Sequence, residues 1–230
     1  MGIVVVINDS EIAAGTRGSS LGSRAIEIEA LKKNDDVFRR TPLKIVEHQN
    51  NALYNRIKHP LAKRIDAYCK VFDSAAATVE SVLSEKNFPL VISGDHGNAA
   101  GTIAGIRKAR PSERVGVIWI DAHADMHSPY TTPSGNIHGM PLAISMNEDN
   151  LDSQQNDLDE ETVNYWNQLK NYGDIAPKVL PEDIIFFGVR DVEEPEVKLM
   201  REKGIKNYAV SEVDRRGPKA CVDEALEKLS

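Results

Sequence analysis

The chain is expected to fold as an α/β protein built on a mostly parallel, doubly wound sheet, and three observations carry that expectation. Two short apolar runs, Phe88 to Ile92 and Val115 to Ile120, read as buried strands and stop abruptly at polar loops. Those loops are Ser93-Gly94-Asp95-His96 and Asp121-Ala122-His123-Ala124-Asp125, both rich in metal-capable side chains. Between the runs, Ala99 to Arg110 reads as a helix stopped by Pro111, which completes a strand, loop, helix, strand, loop rhythm. Such βαβ units build parallel sheets, in which ligands bind outside the carboxyl ends of the strands. His96 and the Asp121 cluster are therefore expected to meet at one sheet edge.

Taken in order, Met1 to Ile7 reads as the first strand. It lacks a basic leader region and is too short to span a membrane. The Met1-Gly2 start fails the myristoylation pattern because Val6 stands where Ser or Thr is required. Gly15, Gly18 and Gly22 follow this strand but match neither GxxxxGK[ST] nor GxGxxG, so a plain βα loop is favoured over a phosphate cradle. A helix is expected from Ser19–Ser23 to about Lys33. Residues 35–59 are polar and irregular, with room for a short strand at Leu43 to Val46. From Leu61 to Glu85 apolar residues recur at helical spacing with charges between them, the mark of a long amphipathic helix. Gly139 to Met146 and Tyr165 to Tyr172 read as helices around the acidic stretch 147–164. Asp183 to Val189 is a strand, a helix then runs to about Lys203, Ile205 to Val210 is a strand, and Pro218 to Leu229 is a last helix with proline in its first turn.

Composition narrows the function. The chain has 230 residues, 41% of them hydrophobic and 27% charged, ordinary values for a globular protein with a sizeable core. Its net charge of −7 argues against nucleic acid and against an anionic membrane as partners, since either calls for a basic face. A small-molecule substrate fits better. Cys69 and Cys221 lie in helix-like sequence without CxxC spacing, which argues against a disulfide framework or structural zinc site. A cytoplasmic setting is expected.

The chemistry is concentrated at Asp121 to His138. In extended backbone, side chains alternate with a period of two, so Asp121, His123 and Asp125 would project to one side with Ala122 and Ala124 opposite. An oxygen and nitrogen donor set without thiol suits a hard or borderline divalent ion such as manganese, and carboxylates can bridge two ions. The plainer alternative is a polar turn after a core strand, with both aspartates solvated.

Together, Ser93-Gly94-Asp95-His96, Asp121-Ala122-His123-Ala124-Asp125 and Thr131-Thr132-Pro133-Ser134-Gly135-Asn136-Ile137-His138-Gly139 resemble the arginase branch of the ureohydrolase family. The resemblance extends to Ala14-Gly15-Thr16-Arg17-Gly18 and Gly188-Val189-Arg190-Asp191. It implies a three-layer α/β/α fold, a pair of Mn2+ ions, and assembly as a homo-oligomer, a trimer or hexamer. It further implies hydrolysis of the guanidinium group of L-arginine to L-ornithine and urea, with metal ions lowering the pKa of water from 15.7 to about 7. His96 and Asp125 would bind the first ion, His123 the second, and Asp121 both. His138 would move a proton to the leaving amine, a task suited to a group titrating near about pH 6.5; the alternative is a histidine held in its own turn. Ser134 and Thr132, in the loop that also holds Asn136, match positions that bind the α-carboxylate. Glu193 stands where the family has an aspartate for the α-amino group, or is simply an exposed acid. Asp191 is read as structural, paired with Arg190 or a neighbour.

Two departures bear on substrate. His127 replaces an asparagine that contacts the substrate carboxylate, and Ser93 and Gly97 replace the usual glycine and serine around His96. A third concerns a further strand ending in an Asp-x-Asp motif, whose carboxylates complete both metal sites in the family. Asp157-Leu158-Asp159 alone has that spacing, but it follows Gln154-Gln155-Asn156 with no buried strand before it and reads as a solvated run. Residues 1–230 are therefore expected to form a single arginase-like α/β domain, C-terminally incomplete relative to the family, with weak or mononuclear metal binding, hydrolysis absent or slight, and an open sheet edge. Agmatinase, formiminoglutamase, a non-catalytic relative that assembles with complete subunits, and an unrelated metal-binding α/β protein remain alternatives.

Overall fold

A computed structural model describes residues Met1–Ser230. Its strands are Ile3–Asn8 (β1), Leu43–Ile45 (β2), Phe88–Ser93 (β3), Val117–Ile120 (β4), Ile184–Phe187 (β5) and Lys206–Tyr208 (β6). The helices are Gly22–Lys32 (α1), Val37–Arg40 (α2), Ile65–Ser84 (α3), Ala99–Ala109 (α4), Pro141–Met146 (α5), Glu160–Lys170 (α6), Glu194–Glu202 (α7), Val210–Arg216 (α8) and Pro218–Leu229 (α9). Every strand pair is parallel, as the βαβ rhythm requires, and helices flank the strands. The strands do not form one sheet, however. They make two sheets of three, ordered β2-β1-β3 and β4-β5-β6, and no ladder joins β3 to β4.

That division corrects the reading of β3 and β4 as buried strands. Each is an edge, so one face of each stays open: Phe88 and Leu90 are 51% and 46% exposed, and Ile118 and Ile120 are 38% and 80% exposed. Apolar sequence alone cannot distinguish a central strand from an edge strand.

The main helix pair explains how the site's first loop is held. Tyr68, Phe72, Ala76 and Val79 form the buried stripe of α3, and α4 lies against it. Gly105 allows that approach, because a Cβ there would sit 2.5 Å from the Ala76 carbonyl oxygen. Helix α3 starts at Ile65 rather than Leu61. Before it, Arg64 takes a left-handed conformation and the Lys63 amide donates to the Gly135 carbonyl at 2.7 Å, so tertiary bonding claims this turn.

At the other end of the chain, α9 packs Cys221 and Ala225 onto Ile185, Phe187 and Tyr208. Val210, read as the end of a strand, instead opens α8. Both cysteines are free and buried. No helix is long and apolar enough to cross a membrane.

Candidate active site

β3 delivers His96 and β4 delivers Asp121, and a hydrogen-bonded frame holds each loop in place. Asp95 accepts bonds from the amides of Ala13 (2.9 Å) and Ala14 (3.4 Å), tying the loop after β3 to the loop after β1. Burial pushes its carboxyl up to about 6 against those amides. The His96 ring stacks on Trp119 of β4, with centroids 4.3 Å apart and planes 16° apart. The two strand ends are thereby brought together across the break between the sheets.

His96 Nδ1 lies 2.9 Å from Asp121 Oδ2 and 2.8 Å from Asp125 Oδ2. These are ion-pair distances without hydrogen-bond geometry, and Asp125 Oδ2 is left buried without a hydrogen-bond partner. Burial works against the His96 cation, but Asp125, then Asp121 and Asp95, outweigh it and raise the ring's pKa. A nitrogen and two carboxylate oxygens lying within 4.8 Å of one another match the donor arrangement of a cation site. His123 sits beyond Asp121, its Nδ1 3.4 Å from Asp121 Oδ1, and its Nε2 is 3.4 Å from Asp191 Oδ2. Asp191 therefore faces His123, not Arg190, whose guanidinium donates to the Gly188 carbonyl.

The convergence is not produced by alternation along an extended strand. β4 ends at Ile120 and Asp125 has a φ of 51°, so a turn with a left-handed residue brings Asp125 back under His96. Alternation predicts Asp121, His123 and Asp125 on one side; in the structure Asp121 and Asp125 meet His96, and His123 stands beyond Asp121.

The cleft over these residues has a volume of about 410 Å³ and no hydrophobic residue in its lining. A larger cavity, about 960 Å³, opens beside Arg56, Arg64 and Tyr165 and contains none of these groups. One wall of the cleft is the loop at 131–139. Thr132 Oγ1 is buried and accepts from the amides of Ser134 (3.3 Å) and Gly135 (2.9 Å), while Ser134 Oγ accepts from the Asn136 amide at 3.1 Å. Gly135 has a φ of 74°, and a Cβ there would lie 1.9 Å from the Pro60 carbonyl oxygen, so the loop is clamped against residues 60–63. His138 is exposed in the cleft and its amide donates to the Ala13 carbonyl. Burial, with His123 and His96 nearby, lowers its pKa despite Asp125.

The opposite wall holds a second imidazole and carboxylate group. His127 Nδ1 is 3.1 Å from Thr131 Oγ1, and its Nε2 is 3.0 Å from Glu193 Oε2 and 3.5 Å from Glu196 Oε2. Glu193 caps α7 in a reciprocal capping box with Glu196, and Glu196 also accepts the Met126 amide at 3.0 Å. Sequence reasoning did not single out Glu196. The signal was there, since an acid three residues after the cap is the capping-box spacing. Asp159, by contrast, lies outside the cleft and caps α6 through Thr162.

Comparison with known proteins places these features in context. The model of the Arginase family matches residues 2–230. The arginase of Bacillus caldovelox is 40% identical over 167 residues, covering 73% of this chain and 50% of that protein. The arginase of Brevibacillus brevis is 32% identical over 231 residues, covering 96% of this chain and 68% of that protein. The crystal structure of arginase from Bacillus subtilis superposes with a TM-score of 0.78 at 31% identity, covering 100% of this chain and 71% of that one. The chain thus spans about half the length of the first curated relatives it matches.

Proposed function

The chain belongs to the arginase family, and from that membership we propose that it serves the hydrolysis of the guanidinium group of L-arginine to L-ornithine and urea at a pair of Mn2+ ions. The observation that carries this reading is the His96, Asp121 and Asp125 group, with Asp125 Oδ2 buried and facing the His96 ring at 2.8 Å with no protein hydrogen bond of good geometry. His96 and Asp125 are assigned to one ion, His123 to the other, and Asp121 to both, since its two oxygens face opposite neighbours. When bound, such ions supply activated water, lowering its pKa from 15.7 to about 7.

The protein's own groups do the rest. Water adds to the guanidinium carbon, the bond from that carbon to the chain nitrogen breaks, and the departing amine takes a proton. His138 stands exposed on the cleft wall with its pKa lowered, which leaves its ring neutral near pH 7 and able to relay that proton. Ser134, Asn136 and Thr132 are assigned to the α-carboxylate end, with Ser134 exposed in the lining and Thr132 holding the loop's shape. Glu193 is assigned to the α-amino group and His127, beside it, to the α-carboxylate. A trimer or hexamer in a cytoplasmic setting is the assembly we propose.

A second reading is favoured by one observation. Both His127 nitrogens are engaged, and no lysine or arginine lines the cleft, so the end distant from His96 offers little to a carboxylate. That suits a guanidino amine such as agmatine. Urea release with arginine and agmatine, and ammonia-free formamide release with formiminoglutamate, each with and without Mn2+, would separate the readings. Equilibrium metal counts on the same protein test the centre itself; absence of any Mn2+ binding that depends on His96 would defeat the proposal.

A further inference from the structure

The cavity of about 960 Å³ beside Arg56, Arg64 and Tyr165 lies outside the candidate active site and has an electrostatic character of its own. Between Asn55 and Lys70 the sequence carries five cations, Arg56, Lys58, Lys63, Arg64 and Lys70, against one acid, Asp66, in a chain of net charge −7. All but Lys63 line this cavity, where Asp66 and Glu161 are the acids. Lys58 stands 4.0 Å from Asp66 and partly offsets it. Arg56, Arg64 and Lys70 have no carboxylate within 4.0 Å, and Glu161 is exposed. The active-site cleft is the reverse, since Asp121, Asp125, Glu193 and Glu196 line it with no lysine or arginine. In metal-free protein an anion is drawn to the one and repelled from the other.

Local geometry also fits an anion. The cavity reaches Asp66, Ala67 and Lys70 in the first turns of α3, and no side chain caps that helix, so its positive end is open. Arg64 Nε donates to the Ala52 carbonyl at 3.3 Å, which orients the guanidinium and leaves its other N–H groups for a further acceptor. Arginine and lysine both suit phosphate, which gathers a charge of about −1.5 to −2 on one centre and can engage these cations while staying clear of Glu161. The volume is at the upper end for a small ligand, about 300 to 1,000 Å³, so an organic body fits beside the phosphate, against Ile57 and Tyr165.

We propose that this cavity binds a phosphate-bearing small molecule, and that its occupant fixes Arg64 and, through Arg64, the loop at 131–139 of the active-site cleft. The route is short. A Cβ on Gly15 would lie 3.3 Å from Arg64 Nη1 and 3.7 Å from Asn136 Oδ1, so the guanidinium and the Asn136 side chain converge on one point. The residue before Arg64 holds the same loop, the Lys63 amide donating to the Gly135 carbonyl at 2.7 Å. Arg64 has a φ of 62°, a conformation that a side chain of this kind keeps only where its surroundings impose it. An anion that immobilises Arg64 therefore bears on both contacts to the loop. Neither the metal ions nor hydrolysis is needed for this coupling.

The test uses the 230-residue chain stripped of metal, so that no cation in the cleft attracts the probe. Calorimetry at low ionic strength compares pyrophosphate with citrate, which carries similar charge on carboxylates. Pyrophosphate should bind at one per chain and at least about tenfold more tightly than citrate. Arg56→Gln and Lys70→Gln should each weaken it at least about fivefold, whereas Lys228→Gln, the same charge change on exposed α9, should not. Arg56 and Lys70 are exposed and make no side-chain ion pair, so thermal unfolding of their free variants should match the wild type. Saturating pyrophosphate should slow exchange of the Gly135 and Asn136 amides at least about threefold. Arg64→Lys keeps the charge without the guanidinium fork, so it should bind pyrophosphate within about threefold of wild type and lose that protection. Absence of binding, equal binding of citrate, equal weakening by Lys228→Gln and Lys70→Gln, or unchanged loop exchange at saturation would each overturn the proposal. Mn2+ binding that depends on His96 is measured separately, so the loss of either reading leaves the other standing.

Discussion

The cleft contains two groups with the same composition, one histidine and two carboxylates, and opposite states of satisfaction. Around His127, Glu193 and Glu196, protein donors occupy the acids and both ring nitrogens have neighbours: Thr131, the Met126 amide and the α7 capping box take part. Around His96, Asp121 and Asp125, the acids face the ring without hydrogen-bond geometry, and one buried oxygen has no partner. Composition and proximity alone would rank the two groups equally as cation sites. The difference lies in which donor atoms the fold has already used.

The strongest test is to remove one acid from each group and count metal. Asp121→Asn should weaken divalent-ion binding by more than about a hundredfold, beyond the 10–100-fold cost of losing a mere supporting contact. Glu196→Gln should leave the metal count by mass spectrometry unchanged. If the Glu196 variant loses metal instead, the two groups are not distinct.

Stability should reverse that order. Glu196→Ala breaks the capping box and strips the Met126 amide of its acceptor, a loss of roughly 2 kcal/mol in denaturant unfolding. Asp121→Asn in metal-free protein should cost less, because it relieves carboxylate crowding around His96.

His127→Asn probes what engagement with Glu193 does to substrate choice. Freeing one donor at that wall is worth about 1 kcal/mol, so arginine binding relative to agmatine should improve roughly fivefold by calorimetry. An unchanged ratio would mean that the wall does not read the carboxylate.

The smallest effect is a pH slope. Burial, helped by side-chain contact with Glu193 and opposed by His127 and the Met126 amide, pushes the Glu196 carboxyl from 4.5 up to about 7. The folded protein therefore holds this proton more tightly than the unfolded chain does. The associated stability is full below pH 4.5 and is lost as pH rises through about 7, and Glu196→Gln should flatten that part of the profile in metal-free protein.

Much of this molecule is legible from local pattern. The spacing of apolar residues marks α3, Pro218 marks the first turn of α9, and each ligand loop follows directly on an apolar run. These features are decided within a few residues, by helical and strand periods and by proline's fixed backbone. Asp121, His123 and Asp125 could be grouped because they are neighbours in sequence. Glu196 carries a local signal for the capping box alone; its partners Met126 and His127 lie about seventy residues away, so its place in the cleft does not show in the sequence.

By itself, then, the amino-acid order determined a parallel α/β fold with metal-capable loops at strand ends, since those are short-range properties of the chain. Tertiary structure alone decided that β3 and β4 are facing edges, that Asp125 returns through a left-handed turn, and that one triad is satisfied while the other is open. Each of these depends on which distant groups come to lie within hydrogen-bond reach, and that is set by packing across the whole fold.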